Sequence, residues 1–264
     1  MKNGGSRAGQ FIVITAIIIG MVAMATAILI YETQVYEQHF RYQPYQDVTI
    51  DLENDVKRAL ACSLANATIW YNKTWAPLGA LPNWNSAGFD KGERNARQYM
   101  QQWRLTAINA FAGLGANLVV SNISRNLVNM AWAKQDSMSS ANATIMVNMT
   151  TIGMFSWQRN ISVALRVTVN MSSITSSGSC TNLTFRALEE NQQIVNDLPN
   201  TSIKVSFYDT VSGKWKNASV NFCYYYGNGV YSIEFNKTYT KGLQIVMWVQ
   251  DRRGILVAAG FTLP

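Results

Sequence analysis

The chain has 264 residues, 48% hydrophobic and 14% charged, with a formal net charge of +7. So many apolar residues can bury a core, which excludes disorder for most of the length, while Asn, Ser and Thr fill the polar positions that charged residues leave vacant. Lys and Arg stand singly or in pairs (Lys57-Arg58, Arg252-Arg253), with no run dense enough to follow a phosphate backbone; they predict a solvated, mildly basic surface and no nucleic-acid partner.

Residues 1–10 form a short polar leader, and Phe11 to Ile30 is an unbroken run of 20 apolar or small residues without charge. As a helix this run reaches about 30 Å, the hydrocarbon thickness of a bilayer. Lys2 and Arg7 precede it and Glu32 and Glu37 follow it, so the positive-inside rule puts the N-terminus in the cytoplasm and everything beyond Ile30 outside. Tyr31, Tyr36, Phe40, Tyr42 and Tyr45 fall where the chain would leave the membrane. The competing reading is a cleaved secretory signal, with small-x-small sites at Ala23-Met24-Ala25 and Ala25-Thr26-Ala27. Ile28-Leu29-Ile30 carries the apolar run past both sites, which favours an anchor that is kept.

Residues 31–116 read as a helical stalk and a helix pair. Pro44 is expected to end or kink the first helix. Val48, Leu52, Val56, Leu60, Leu64 and Ala67 then recur at or near four-residue spacing, predicting an amphipathic helix from Asp47 to about Tyr71. Trp75 to Gly92, with Pro77, Gly79, Pro82 and Gly88, reads as a loop. A second helix is expected from Glu93 to Ala112, with Ala96, Met100, Trp103, Ala107 and Phe111 on one face, closed by Gly113 and Gly115. Trp70, Trp75 and Trp84 cluster around the inter-helix loop and are expected to cap the helix pair, the alternative being exposed rings that stack on sugars or meet a partner subunit.

From Asn117 the apolar period becomes two. Residues 117–179 form a β-rich segment with Ile145-Val147-Met149 and Val163-Leu165-Val167-Val169 alternating against polar neighbours. Turn signals then recur at Ser177-Gly178 and, within 180–264, at Ser212-Gly213, Gly227-Asn228-Gly229 and Arg253-Gly254, separating Ile203–Phe207, Val220–Tyr226, Val230–Phe235 and Leu243–Val249. Many short strands at such spacing predict a sandwich. The expected class is therefore α+β, a transmembrane helix and helix pair followed by an antiparallel β-sandwich.

Eleven Asn-x-Ser/Thr tripeptides occur, at Asn66, Asn72, Asn122, Asn142, Asn148, Asn160, Asn170, Asn182, Asn200, Asn217 and Asn236. With 24 Asn in the chain, chance predicts about four, and all eleven follow the apolar run, as export and N-glycosylation would require. Of the three cysteines, Cys180 and Cys223 lie together in the strand-rich third and are expected to pair, while Cys62 reads as a small buried hydrophobe; three reduced cysteines are the alternative. No cysteine or histidine spacing suits a metal.

Chemistry is sparse. The one histidine, His39, lies just beyond the apolar run, flanked by Gln38 and Phe40, where a catalytic cleft is hard to build. Asp51, Glu53 and Asp55 point to different faces of a helix and read as acids at a helix start rather than as a paired site. No Walker loop, dinucleotide fingerprint, metalloprotease motif or calcium loop is present, so neither an enzyme nor a cofactor is expected. A solute-binding ectodomain would need a deep polar pocket.

Two resemblances sharpen this reading. Ser6-Arg7-Ala8-Gly9-Gln10-Phe11-Ile12-Val13 resembles the class III signal peptides of archaeal type IV pilin-like proteins. It departs from them in Ala8 and in Ile14, where that family carries Glu. The resemblance implies cleavage between Gly9 and Gln10, with the apolar helix retained. The stretch 180–264, through Tyr208-Asp209, Gly227-Asn228-Gly229-Val230-Tyr231-Ser232 and Val249-Gln250-Asp251-Arg252-Arg253-Gly254-Ile255, resembles the Ig-like domains of prokaryotic surface proteins, implying a spacer, adhesive or assembly module. The expectation is a membrane-anchored, N-glycosylated structural or interaction protein of the cell envelope, facing outward. The alternative is a pilin-like filament subunit that packs with copies of itself through the apolar helix.

Overall fold

The computed structural model describes residues 5–75, 86–112, 116–126, 136–149 and 154–264, and the side chains of 13–34, 47–70, 90–112, 117–121, 137–148 and 156–264 other than 177. It divides into two units, Met1–Leu52 and Glu53–Pro264. The first helix, α1 (Gly5–Trp75), has residues in both. Of the two outcomes expected at Pro44, an end is overturned, since α1 runs through it. Proline removes one backbone donor, and the helical bonds on either side persist without it.

In the first unit, Val13–Gln34 is the one helical stretch among the described residues long and apolar enough to cross a membrane, with mean hydropathy 2.7 and none of its surface buried. Two of its hydroxyls are satisfied inside the helix: Thr26 Oγ1 donates to the Val22 carbonyl at 2.7 Å, and Thr33 Oγ1 to that of Leu29. Neither hydroxyl therefore brings an unpaired polar atom into an apolar environment. Length and composition suit a membrane span and the apolar core of a signal sequence alike.

In the second unit, α2 (Ser86–Phe111) starts seven residues before the expected Glu93 and runs through Gly88 and Gly92. Gly92 does not break the helix. A Cβ there would lie 2.8 Å from the Ala67 carbonyl oxygen, so the glycine allows α1 and α2 to approach closely. Val56, Leu60, Leu64 and Ala67 of α1 and Ala96, Met100 and Ala107 of α2 are buried, as their spacing predicts. Ser63 Oγ donates to the Ala96 carbonyl (3.0 Å) and Trp103 Nε1 to Asp55 Oδ2 (2.8 Å), fixing the register of the pair.

Among the described residues ten strands follow: β1 (Ala116–Asn126), β2 (Asp136–Met149), β3 (Met154–Ser177), β4 (Cys180–Glu189), β5 (Ile203–Asp209), β6 (Lys214–Ala218), β7 (Val220–Gly227), β8 (Val230–Phe235), β9 (Gln244–Gln250) and β10 (Leu256–Thr262). They form a six-stranded antiparallel sheet, β1-β2-β3-β4-β8-β7, and a four-stranded one, β10-β9-β5-β6. The segments 117–179 and 180–264 thus share one sheet, joined by the β3–β4 hairpin whose turn contains Gly178 at φ +59. All the strands expected from alternation form. β10 is buried from Leu256 to Phe261 and shows no alternation, so only its apolar continuity marks it in the sequence.

The sheets pack as a sandwich. Ile145, Leu165, Leu183, Phe185, Ile233 and Phe235 of the larger sheet and Val205, Ile245, Met247, Val257 and Phe261 of the smaller are buried, and β10 packs against β2 and β3. Each fully buried large side chain contributes about 1.5–3 kcal/mol. Numbered from β4, the strands pair first–fifth–fourth and seventh–sixth–second–third. An Ig constant domain pairs first–second–fifth–fourth and third–sixth–seventh. The difference is one strand, β5, which pairs with β9 and β6 and not between β4 and β8. α2 packs against β1, and Thr68 of α1 accepts a hydrogen bond from the Leu256 amide at 3.2 Å.

Candidate functional site

The pleat of the six-stranded sheet sorts its side chains. On β2, Ala141, Ala143, Ile145 and Val147 are buried, and on β3, Ile161, Val163, Leu165, Val167 and Val169. On β4, Leu183, Phe185 and Ala187 are buried. Their even-numbered neighbours occupy the opposite, outer face. Five sequon asparagines stand there, Asn142 and Asn148 on β2, Asn160 and Asn170 on β3, and Asn182 on β4. Because a sequon separates Asn from its hydroxyl by two residues, the hydroxyls of the Asn142, Asn160 and Asn182 sequons (Thr144, Ser162 and Thr184) share this face.

Register then interlocks the sequons. Asn142 pairs with Ser162, the hydroxyl residue of the Asn160 sequon, and Thr144, the hydroxyl residue of the Asn142 sequon, pairs with Asn160. Thr144 Oγ1 donates to Asn160 Oδ1 at 2.9 Å. Asn170 likewise faces Thr184 of the Asn182 sequon.

Asn66 on α1, Asn142, Asn160, Asn170, Asn200, Asn217 on β6 and Asn236 are exposed. Asn148 and Asn182 are half-buried: Asn148 Oδ1 accepts from the Ser156 amide (2.6 Å), and Asn182 Oδ1 is buried without a hydrogen bond. Asn217 Oδ1 accepts from Ser206 Oγ at 2.6 Å. Asn72 lies on α1 and Asn122 on β1, and their side chains fall outside those described, as do those of Gln10 and His39 on α1, which also carries Gly9. Trp84 lies outside the described residues; Trp70 is half-buried, with Lys91 Nζ 4.4 Å from its ring centre.

The expected disulfide is corrected: Cys62, Cys180 and Cys223 are all free. β8 stands between β4 and β7, with Thr181 opposite Phe235 and Cys223 opposite Ile233. Cys180 and Cys223 are therefore about 10 Å apart across the strands and a further ~10 Å along them, beyond the roughly 7 Å that a disulfide spans. Burial pushes the Cys223 thiol up to about 11.

The acidic trio on α1 also differs from expectation, since it lies far inside the helix and not at its start. Asp51 is exposed, Glu53 pairs with Arg159 (3.4 Å), and Asp55 pairs with Arg58 as well as accepting from Trp103. No two of them share a site.

The densest polar cluster was not flagged by any motif. β4 leaves the sheet after Glu189, and the backbone of Ala164 on β3 would lose its partner there. Glu190 and Arg253 replace it: the Ala164 amide donates to Glu190 Oε2 (3.1 Å), and Arg253 Nη2 donates to the Ala164 carbonyl (2.8 Å). Arg253 Nη1 meets Glu190 Oε2 at 2.8 Å, its Nε meets Asp251 Oδ2 at 2.7 Å, and Lys57 Nζ of α1 meets Glu190 Oε1 at 2.7 Å. Burial alone would raise the Glu190 carboxyl, but Lys57, Arg253 and the Ala164 amide outweigh it and hold it at about 2. Glu189, beside the same guanidinium at 3.6 Å, is shifted upward by burial. Asp251 also accepts from the amides of Arg253 and Ile255, closing the β9–β10 turn at Gly254 (φ +84). Thus Arg253 is drawn inward and the half-exposed Lys57 reaches down to Glu190, while their sequence neighbours Arg58 and Arg252 stay on the surface. Every charge in this cluster is met by an opposite one, which makes it a clamp joining α1, β3, β4 and the β9–β10 turn.

The outer face of the larger sheet, with its interlocked sequons, is the candidate functional surface. Compared with known proteins, the chain matches no family model, no curated protein and no solved structure.

Proposed function

We propose that the chain is a structural or interaction protein of the cell envelope. Its apolar helix is held in a membrane, its sandwich stands outside, and N-linked glycans cover the outer face of the larger sheet. The observation that carries this reading is Val13–Gln34, a helical stretch of mean hydropathy 2.7 with none of its surface buried. So large an apolar surface calls for lipid or copies of itself. The excess of sequons, seven of them exposed, supports an outward address. The Ig-like character is proposed at the level of architecture, two packed antiparallel sheets that display a surface, since such sandwiches serve many unrelated roles.

The test is made on the native protein in its own cells. Membranes washed with alkaline carbonate should retain it, protease applied to intact cells should digest the sandwich, and glycopeptide mass spectrometry should find sugar on the sequons. Recovery as a soluble cytosolic species with bare asparagines would sink the proposal. Recovery in sheared surface fibres with a mature start at Gln10 would replace the anchored monomer with the pilin-like filament subunit.

A further inference from the structure

On the outer face, a groove of about 290 Å³ opens where β4 leaves the sheet, at the lower end of the volumes that hold small ligands. Ala164 and Ser162 of β3 line its floor, and Ser140 and Asn142 of β2 form one wall. The other wall is the turn that carries the chain back past β4, through Asn191 (φ 56) and Gln192 (φ 59). Two successive non-glycine residues in left-handed backbone are costly, and such strain persists only where the surroundings hold it in place. Here the Glu189 amide donates to the Gln193 carbonyl (2.8 Å), and Gln193 donates back to Glu190 (3.2 Å). The turn sets two amide side-chain residues opposite a sequon asparagine.

We infer that this groove seats the first sugar of a glycan attached to Asn142, an inference that rests on the glycosylated-surface reading above. A pyranose presents hydroxyls on its rim and a small C–H face. The groove offers hydroxyls from Ser140 and Ser162, amides from Asn191 and Gln192, and the methyl of Ala164 beneath. Asn142 is exposed and itself lines the groove, so a sugar on its Nδ2 begins at the site. Tethering supplies an effective concentration in the millimolar range, so contacts too weak to capture a free sugar suffice. Asn160 differs, because its Oδ1 is already engaged by Thr144.

Hydrogen exchange on the full-length protein, purified from its native membranes, tests this. Site-resolved glycopeptide mass spectrometry first establishes occupancy. Asn142→Gln should then speed amide exchange across residues 188–193 by about tenfold, equivalent to ~1.4 kcal/mol of lost seating, whereas Asn217→Gln should leave that segment unchanged. In protein made without N-glycosylation, wild type and Asn142→Gln should exchange alike. Unchanged exchange in the glycosylated Asn142→Gln variant overturns the inference, and so does an effect that persists in sugar-free protein. A bare Asn142 beside occupied Asn217 and Asn236 overturns it too and leaves the glycosylated surface standing. Bare asparagines throughout overturn both.

Discussion

Arg252 and Arg253 are adjacent in sequence, and the structure assigns them very different weights. The Arg253 side chain is 18% exposed and binds the carboxylates of Glu190 and Asp251, themselves 3% and 0% exposed; that of Arg252 is 73% exposed and meets Asp197 at 3.1 Å. Replacing either by Met keeps much of the aliphatic stem and removes the charge. For Arg253→Met, two buried carboxylates lose their shared partner and the Ala164 carbonyl loses a donor. Breaking a buried pair from one side costs about 3–5 kcal/mol, or a fall in melting temperature of about 10 °C for a unit of this size. Arg252→Met should cost at most about 1 kcal/mol, as exposed pairs do. Differential scanning fluorimetry on tryptophan emission of the full chain in detergent reads both. Because the groups act together, adding Glu190→Gln to Arg253→Met should cost less than the sum of the single changes. Equal shifts for the two arginines, or additive ones for the double variant, would refute the clamp.

The same carboxylate sets an acid limit. Glu190 is held at about 2 against an ordinary 4.5, so its stabilisation, about 3 kcal/mol, is complete above pH 4.5 and lost as pH falls from there through 2. In Glu190→Gln, melting temperature against pH should be flatter over that range; an unchanged slope counts against the ion pairs. Cys223, with its thiol raised to about 11, should alkylate slowly with iodoacetamide at pH 8, where about 0.1% is thiolate, and about tenfold faster per pH unit above that. Non-reducing peptide mapping should also find Cys180 and Cys223 unlinked. Gly92→Ala should destabilise by about 1–3 kcal/mol because its Cβ meets the Ala67 carbonyl, although Ala is the better helix former; a raised melting temperature would show that the helices can separate at no cost. Ile18→Arg adds about 3 kcal/mol to the cost of membrane insertion, and carbonate washing should release more of the variant than of wild type.

Periodicity and turn chemistry were legible. Alternation such as Val163-Leu165-Val167-Val169 marks β3 directly, and Gly178, Gly213 and Gly254 sit at the positive φ that their hairpins demand. Spacing also reveals which faces of α1 and α2 are buried. What the sequence concealed is long-range. Alternation along β5 reads the same in either sheet, so its departure from the Ig order leaves no trace in its own residues. Cys180 and Cys223 both lie in the strand-rich third, and it is the intervening β8 and its register with β4 and β7 that keep them apart. Gly92 reads locally as a stop, yet its purpose lies on another helix. The clamp joins Lys57, Glu190 and Arg253, whose partnership no window of sequence spans. Its faint signals were the acidic doublet Glu189-Glu190 ending an alternating strand and the Asp251-x-x-Gly254 turn.

The interlocked sequons have a consequence for how this protein can be produced and altered. Since Thr144 and Ser162 face the neighbouring strand's asparagine, replacing a hydroxyl residue to abolish one acceptor also edits the sheet's own cross-strand contacts. Asparagine-to-glutamine exchange is the cleaner way to remove the Asn142 sequon, whereas at Asn160 it too would disturb the bond from Thr144. Made in a host that leaves the asparagines bare, the outer face of β2 and β3 becomes a field of amides and hydroxyls with few charges to keep molecules apart. Such material should fold with the same strand pairing and, on the proposal that the sequons carry sugar, associate at concentrations where the glycosylated protein stays dispersed.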